Sequence, residues 1–184
     1  MATNITLTPY TTSCPLPDNL TPLSPNGFML SIAKLPSVSF FAQSAEIPSL
    51  DLPAPVQHTP LSQNVMAGDY LSYGDFQMQF LIDDKMENYK AIHNWMIGLG
   101  FPESYEQYAN YRNTSAFSDL SELKKNFSDG VLQILSGTNT VVQSIEFLDM
   151  YPTSLQSLQF QTTNTDVQYM VGTVTFKYDI YRFI

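Results

Sequence analysis

The sequence is poor in the residues that build several common kinds of functional site. It has one cysteine, Cys14, so no disulfide forms within the chain, and its only histidines are His58 and His93. Its eight glycines form no phosphate-binding motif, and neither HExxH nor CxxC occurs. The sequence therefore predicts no catalytic, cofactor-binding or metal site.

Basic residues are scarce as well. Eight Lys and Arg stand against seventeen Asp and Glu, which gives a formal net charge of −9. A protein that grips nucleic acid through its phosphates needs clustered cations, so this charge argues against specific nucleic-acid binding. No run of eighteen apolar residues occurs, and the N-terminus lacks the features of a signal peptide. We expect a chain that folds in a cytosol without membrane insertion.

Apolar residues make up 43% of the chain and aromatic residues 13%, which is typical of a globular domain with a core. Five prolines in residues 1–26 predict an extended N-terminal arm. Residues 27–184 are predicted to form a single β domain with two additions. One is a stiff projecting loop at 48–63, which contains four prolines, and the other is a polar, aromatic excursion at 101–127.

Strand patterns dominate the domain. They cover 27–35, 38–47, 75–83, 130–135, 140–150 and 168–184. One segment, 84–100, has apolar residues at helical spacing and glycines at its end. The expected fold class is mainly β (α+β), an antiparallel β sandwich or barrel with one flanking helix.

Two of these strands alternate strictly between apolar and polar side chains. Phe76, Met78 and Phe80 alternate with glutamines, and Val174 and Phe176 alternate with threonines. Successive side chains of a strand point to opposite faces, so each strand has one face in the core and one in water. The polar positions are Gln77, Gln79, Asp83, Thr173 and Thr175.

Several short motifs occur in a characteristic order. They are "FAQSAEIP" at 41–48, "AGD" at 67–69, "YGDF" at 73–76, a helix with Trp95, "YPT" at 151–153 and "LQF" at 158–160. In this order they resemble the tail tube proteins of contractile-tailed bacteriophages. The resemblance covers about 28–99 and 129–182, while the arm and the excursion depart from the pattern of the family.

The resemblance implies a structural protein of the phage tail, made in the host bacterial cytoplasm and carried in the virion. Homohexameric rings would stack into a hollow tube, with strands of all subunits joined into one inner barrel. DNA would pass through the lumen without specific binding. The implied partners are other copies of the chain, the tail sheath protein, and the baseplate and tail terminator proteins.

The resemblance also assigns roles to the two features described above. The polar strand positions Gln77, Gln79, Asp83, Thr173 and Thr175 become candidates for the lumen wall. The projecting loop becomes the contact between rings, with candidate residues Pro48, Leu50, Leu52, Pro53, Pro55, His58 and Pro60.

Other functions remain open at this stage. Within the same class, the chain fits a junction or initiator protein between baseplate and tube, or the tube of a secretion system. Outside it, a small hydrolase would have to use His58 or His93 beside a carboxylate. A monomeric carbohydrate-binding β sandwich would explain the tyrosines. A monomer on a sizing column would favour the last two.

Overall fold

The computed structural model describes residues 22–58, 60–112, 126–162 and 169–184. Strands predominate in these ranges. The helices are α1 (Pro36–Phe40), α2 (Glu87–Gly100) and α3 (Tyr105–Arg112). The strands are β1 (Phe28–Ile32), β2 (Ala42–Ala45), β3 (Leu50–Asp51), β4 (Val56–His58), β5 (Gln63–Val65), β6 (Ser72–Tyr73), β7 (Phe76–Leu81), β8 (Ser128–Leu135), β9 (Val141–Leu155), β10 (Val171–Lys177) and β11 (Ile180–Phe183).

One antiparallel sheet organises the subunit, in the order β1-β8-β9-β10-β7-β2, with β11 also paired to β9. The fifteen-residue strand β9 belongs to two halves of this sheet. Its first part pairs with β8 and β11, and together with β1 these form the first half-sheet. Its last part pairs with β10, and together with β7 and β2 these form the second half-sheet. The sheet is therefore open, with β1 and β2 at its two ends.

Strand β9 changes direction at Asp149. Leu148 pairs with β11 and Tyr151 with β10, so the strand passes from one set of partners to the other within this short stretch. Asp149 has a φ of 53°, and its backbone N–H donates to the Asp129 carboxylate at 3.2 Å. A left-handed residue bends the strand here, which lets the two half-sheets face each other across one core.

We expect Asp149→Val to destabilise the subunit by about 1–2 kcal/mol, because a β-branched residue at positive φ is strained. Asp149→Gly removes that strain and should stay within about 0.5 kcal/mol of the parent. Urea denaturation of the two variants measures the difference. Equal destabilisation by both would show that the carboxylate of Asp149, not the backbone, is what matters.

A single core fills the space between the half-sheets and α2. Phe76 and Phe147, one from each half-sheet, have ring centroids 4.7 Å apart. Trp95 of α2 packs near Phe176, and its indole N–H donates to the Asn126 carbonyl at 3.1 Å. The other large buried side chains are Leu30, Ile32, Leu35, Val38, Met78, Phe80, Ile92, Leu132, Ile145, Met150 and Val174. The predicted class, mainly β with a flanking helix, is confirmed.

Three local predictions need correction. The strand expected at 38–47 is helix α1 followed by β2, because Pro36 starts a helical turn that the Ser39 hydroxyl braces by donating to the Leu35 carbonyl. The strand expected at 168–184 is divided into β10 and β11. The excursion predicted at 101–127 contains the helix α3, and its residues 113–125 lie outside the described residues.

Candidate functional site

The second half-sheet presents a continuous polar face on the side away from the core. Residues directly opposite each other on neighbouring strands share a face of the sheet, so the strand registers define rows of side chains. The first row is Ser44, Gln79, Thr173 and Gln156, and the second is Glu46, Gln77, Thr175 and Ser154. We call these two rows the polar face.

Most of this face is uncharged. Glu46 is the one charged residue in the two rows. Beyond the second row, the Lys177 ammonium lies 2.6 Å from the Asp75 carboxylate, and this hydrogen bond raises the pKa of Lys177 above its usual value. The face therefore offers amide and hydroxyl groups to water, with its neighbouring cation neutralised by a partner.

The predicted lumen residues differ in position. Gln77, Gln79 and Thr175 lie together on the polar face and reach solvent to different extents. Thr173 belongs to the same face but is only 8% exposed. Its side chain therefore contributes little to the surface that the polar face exposes to water.

Asp83 is also displaced from its predicted place, since β7 ends at Leu81 and Asp83 lies in the turn leading to α2. Asn88 shapes that turn. Its side-chain amide donates to the Leu81 carbonyl at 2.7 Å, and its side-chain oxygen accepts the Asp83 N–H at 3.3 Å. Asn88 is fully buried, and the sequence pattern gave no signal for this role.

Strand edges flank the polar face on both sides. Among the described strands, β2 pairs with β7 alone, and the Tyr151–Leu155 part of β9 pairs with β10 alone. Pairing with β8 stops at Met150. Unpaired edges of this kind are templates for another strand.

A long hairpin (residues 46–75) connects β2 to β7 and projects beyond the sheet. It continues the sheet register, because Ala45 lies opposite Met78 and, five residues further on, Leu50 lies opposite Tyr73. The pair β4 and β5 then extends it towards the tip. The predicted projecting loop at 48–63 is thus the outgoing strand and the tip of a two-stranded ribbon.

Prolines in this ribbon serve as hydrogen-bond acceptors. The Pro53 carbonyl accepts the Gly68 N–H at 2.7 Å, and the Pro55 carbonyl accepts the Met66 N–H at 3.1 Å. Each of these bonds uses only the proline carbonyl, which accepts like that of any other residue, so the hairpin forms although the prolines have no N–H to donate. The prolines predicted a stiff projecting loop, and the structure shows that this projection is a paired hairpin.

The predicted contact residues all lie along this hairpin, and all but one of them are exposed at least in part. Leu50, Leu52, Pro55, His58 and Pro60 are exposed, and Pro53 is partly exposed. Pro48 is buried at the base of the hairpin, so its side chain is not exposed to a partner in the isolated subunit. The hairpin also exposes Ile47, Val56, Leu61, Val65, Met66, Tyr70 and Leu71. So much exposed apolar surface on one projecting element is typical of a protein contact.

Gly68 permits the close approach of the two strands, because a Cβ added there would lie 2.4 Å from the Pro53 carbonyl oxygen. Gly68→Ala should therefore open the hairpin and raise its cleavage rate by chymotrypsin about tenfold. Gly137→Ala is the matched control, since a Cβ there meets nothing within 4 Å. Equal cleavage rates in the two variants would contradict a tightly closed ribbon.

Tyr178 ties the base of the hairpin to the turn between β10 and β11. Its hydroxyl donates to the Gly74 carbonyl at 2.9 Å. Burial, helped by the neighbouring Tyr181 and Tyr73, raises the pKa of Tyr178 from 10.0 to about 12. The neutral phenol is therefore the form that the folded state favours.

This pKa has a defined consequence for stability. A folded-state pKa above the unfolded value means that the contribution of Tyr178 is present below about pH 10 and is lost between about pH 10 and 12. Tyr178→Phe should flatten the stability profile in that window, as measured by urea denaturation at several pH values. Tyr105→Phe changes an exposed tyrosine and should leave the profile unchanged. An unaltered profile in Tyr178→Phe would refute this linkage.

The described residues show no arrangement typical of catalysis. His58 and His93 are both exposed, and no group of three or more His, Cys, Asp or Glu in these ranges is placed to hold a metal ion. Within the same ranges, no helix combines the length and the apolar character needed to cross a membrane. The surfaces that stand out are the polar face, its two open edges and the hairpin.

Two solved structures share this fold. A chain of the anti-feeding prophage cap, described as the AFP tube terminating cap, has a TM-score of 0.58 at 14% identity, covering 95% of this chain and 98% of that chain. A chain of the PVC sheath-tube complex of an extracellular contractile injection system, in the extended state, has a TM-score of 0.54 at 13% identity, with 89% and 91% covered. At 13–14% sequence identity, this structural similarity establishes a shared fold and nothing more.

The sequence itself defines the family. The model of the phage tail tube protein family matches residues 16–184. The chain belongs to the phage tail tube protein family, which confirms the resemblance inferred from the motifs. A search of curated proteins finds no match.

Proposed function

We propose that this chain forms homohexameric rings that stack into the hollow tube of a contractile tail or a related injection machine. One observation carries the proposal. The polar face spans four strands and has an unpaired strand edge on either side, at β2 and at Tyr151–Leu155. Pairing the first edge of one copy with the second edge of the next would extend the face around a ring.

The two sides of the second half-sheet support this arrangement. Its core side packs on α2, whereas its polar side carries amides and hydroxyls that suit the wall of a water-filled channel. Gln77, Gln79 and Thr175 would then line the lumen. The exposed side of α2 would lie on the outside of the tube, where a sheath protein binds.

The hairpin would connect successive rings. Its strands add about 3.3 Å per residue, so its two sides, residues 46–58 and 63–75, reach about 40 Å when extended. Baseplate and terminator proteins would occupy the two ends of the stack. DNA would pass through the lumen without specific binding, since the polar face offers no row of free cations to phosphates.

Two related functions use the same surfaces. A junction or initiator protein would form one ring and bind a baseplate on one side, and the tube of a secretion system would carry another cargo. The length of the assembly distinguishes a junction or initiator protein from a tube protein. We expect an initiator on its own to form single rings, whereas a tube protein forms stacks.

Negative-stain microscopy of the purified protein, over a range of concentrations, tests the proposal directly. We expect six-fold rings at low concentration and stacks or tubes at high concentration. A monomer of 20.7 kDa at every concentration would refute the proposal. Single rings that never stack would favour the junction or initiator function.

A further inference from the structure

An apolar groove lies beside β1, which pairs only with β8 among the described strands, at the place where α1 ends and β2 begins. It encloses about 410 Å³. The side chains that line it include Phe28, Met29, Leu30, Ser39, Phe40 and Ala42. Met29 is 56% exposed and Phe40 82% exposed, so two large apolar side chains at its rim lie in water in the isolated subunit. Among the described residues, those that line the groove are all uncharged.

The hairpin carries apolar side chains of matching character at its far end. Leu61 is 99% exposed, and Val65 and Met66 follow on the return strand. Residues 60–66, "PLSQNVM", contain no charge. An uncharged apolar tip entering an uncharged groove buries no ion, so this contact avoids the desolvation penalty that a charged tip would incur.

The groove and the hairpin lie at opposite ends of the same pair of strands. Ala42, at the start of β2, lines the groove and pairs with Phe80 near the end of β7. The hairpin leaves the other end of β2 and returns at Phe76, the start of β7. A subunit therefore directs its hairpin away from its own groove, and a second copy in the same orientation, displaced along the strands, presents its groove to that hairpin.

We propose that the groove receives the hairpin tip of a second copy in the adjacent ring, with Leu61 as the apolar anchor and Met29 and Phe40 as its rim. This assignment rests on the proposed stacking of rings. The two surfaces differ, so the contact is heterologous and repeats from copy to copy without closing.

Cross-linking between two differently tagged chains tests the pairing. Both carry Cys14→Ser, one carries Leu61→Cys and the other Met29→Cys, and a short bis-maleimide is added to the mixed protein. We expect the yield of cross-linked dimers that carry both tags to be at least tenfold higher than in a control mixture. The control mixes Leu61→Cys with Phe183→Cys, which places the second cysteine at an exposed site elsewhere. Equal yields, in a sample that contains tubes, would overturn the groove assignment and leave the tube function standing.

Substitutions give a second measurement. Leu61→Ser and Phe40→Ser should each leave rings intact and raise the concentration needed for stacking about tenfold, because each removes apolar burial from the contact. Phe160→Ser, at another exposed phenylalanine, should change neither. Loss of rings in Phe40→Ser would show that a neighbour within the ring covers the groove, against the proposal. If the parent protein forms neither rings nor tubes, the proposed function itself fails.

Discussion

A chain in which residues 52–71 are replaced by Asn-Gly is expected to form rings that do not stack. Asp51 and Ser72 are directly opposite each other in the ribbon, and Asn-Gly makes the two-residue turn that closes such a pair. The core and the edges of the polar face are untouched, so folding and ring closure should persist. Negative-stain images should show single rings at concentrations at which the parent protein forms tubes.

The control keeps the length of the hairpin and changes only a distant turn. Gly137→Ala, in the turn between β8 and β9, meets no neighbouring atom and should stack like the parent. Circular dichroism of the truncated chain checks that the sheet is retained. Tubes of normal length from the truncated chain would show that the hairpin does not hold rings together.

Three lysines on the polar face are expected to slow DNA passage without preventing assembly. Gln77→Lys, Gln79→Lys and Thr175→Lys would place three cations per copy, about eighteen per proposed ring, on the lumen wall. Each phosphate contact gains about 1 kcal/mol or less, but the sum over many rings is large. Genome delivery should fall at least tenfold and recover partly in added salt.

The matched control moves the same number of lysines elsewhere. Thr138→Lys, Thr140→Lys and Ser104→Lys lie at exposed positions, in the turn between β8 and β9 and in the segment between α2 and α3. These changes should leave delivery unaltered. Normal delivery in the polar-face variant, with tubes assembled, would show that these residues do not line the channel. Failure of that variant to fold would contradict the assignment of its three positions to the solvent side.

Alternating strands were the most predictable part of the fold. Phe76, Met78 and Phe80 alternate with glutamines, and the structure buries these three apolar side chains in the core. The pattern is informative because one face of each strand is dry and the other wet. The helix at 84–100 was predictable for a similar reason, since Ile92 and Trp95 recur at helical spacing.

Elements that depend on distant contacts were not predictable. Residues 38–40 favour a strand by residue type, yet they complete the helical turn that begins at Pro36, and Val38 packs in the core. Strand β9 continues through Pro152 because the register with β10 shifts between Thr175 and Phe176, and a bulge tolerates proline. The hairpin was recognised as projecting, but its return strand is weakly patterned.

The candidate surfaces were partly predictable. Alternation placed Gln77, Gln79 and Thr175 on a polar face, and proline content marked the hairpin. The burial of Thr173 and Pro48 depends on neighbours that the local pattern does not reveal. The groove at Met29 and Phe40 is built from three separate elements, so only the folded chain brings it together.

Strand β9 also determines how the subunit resists unfolding. Its amides and carbonyls hold β8 and β11 in one half of the sheet and β10 in the other. Neither half can detach without breaking the ladder of the strand that both share, so local opening of one half is coupled to the other. The subunit should lose its structure in one cooperative step, and the hairpin, which has no third strand, should exchange its amide protons well before β9 does.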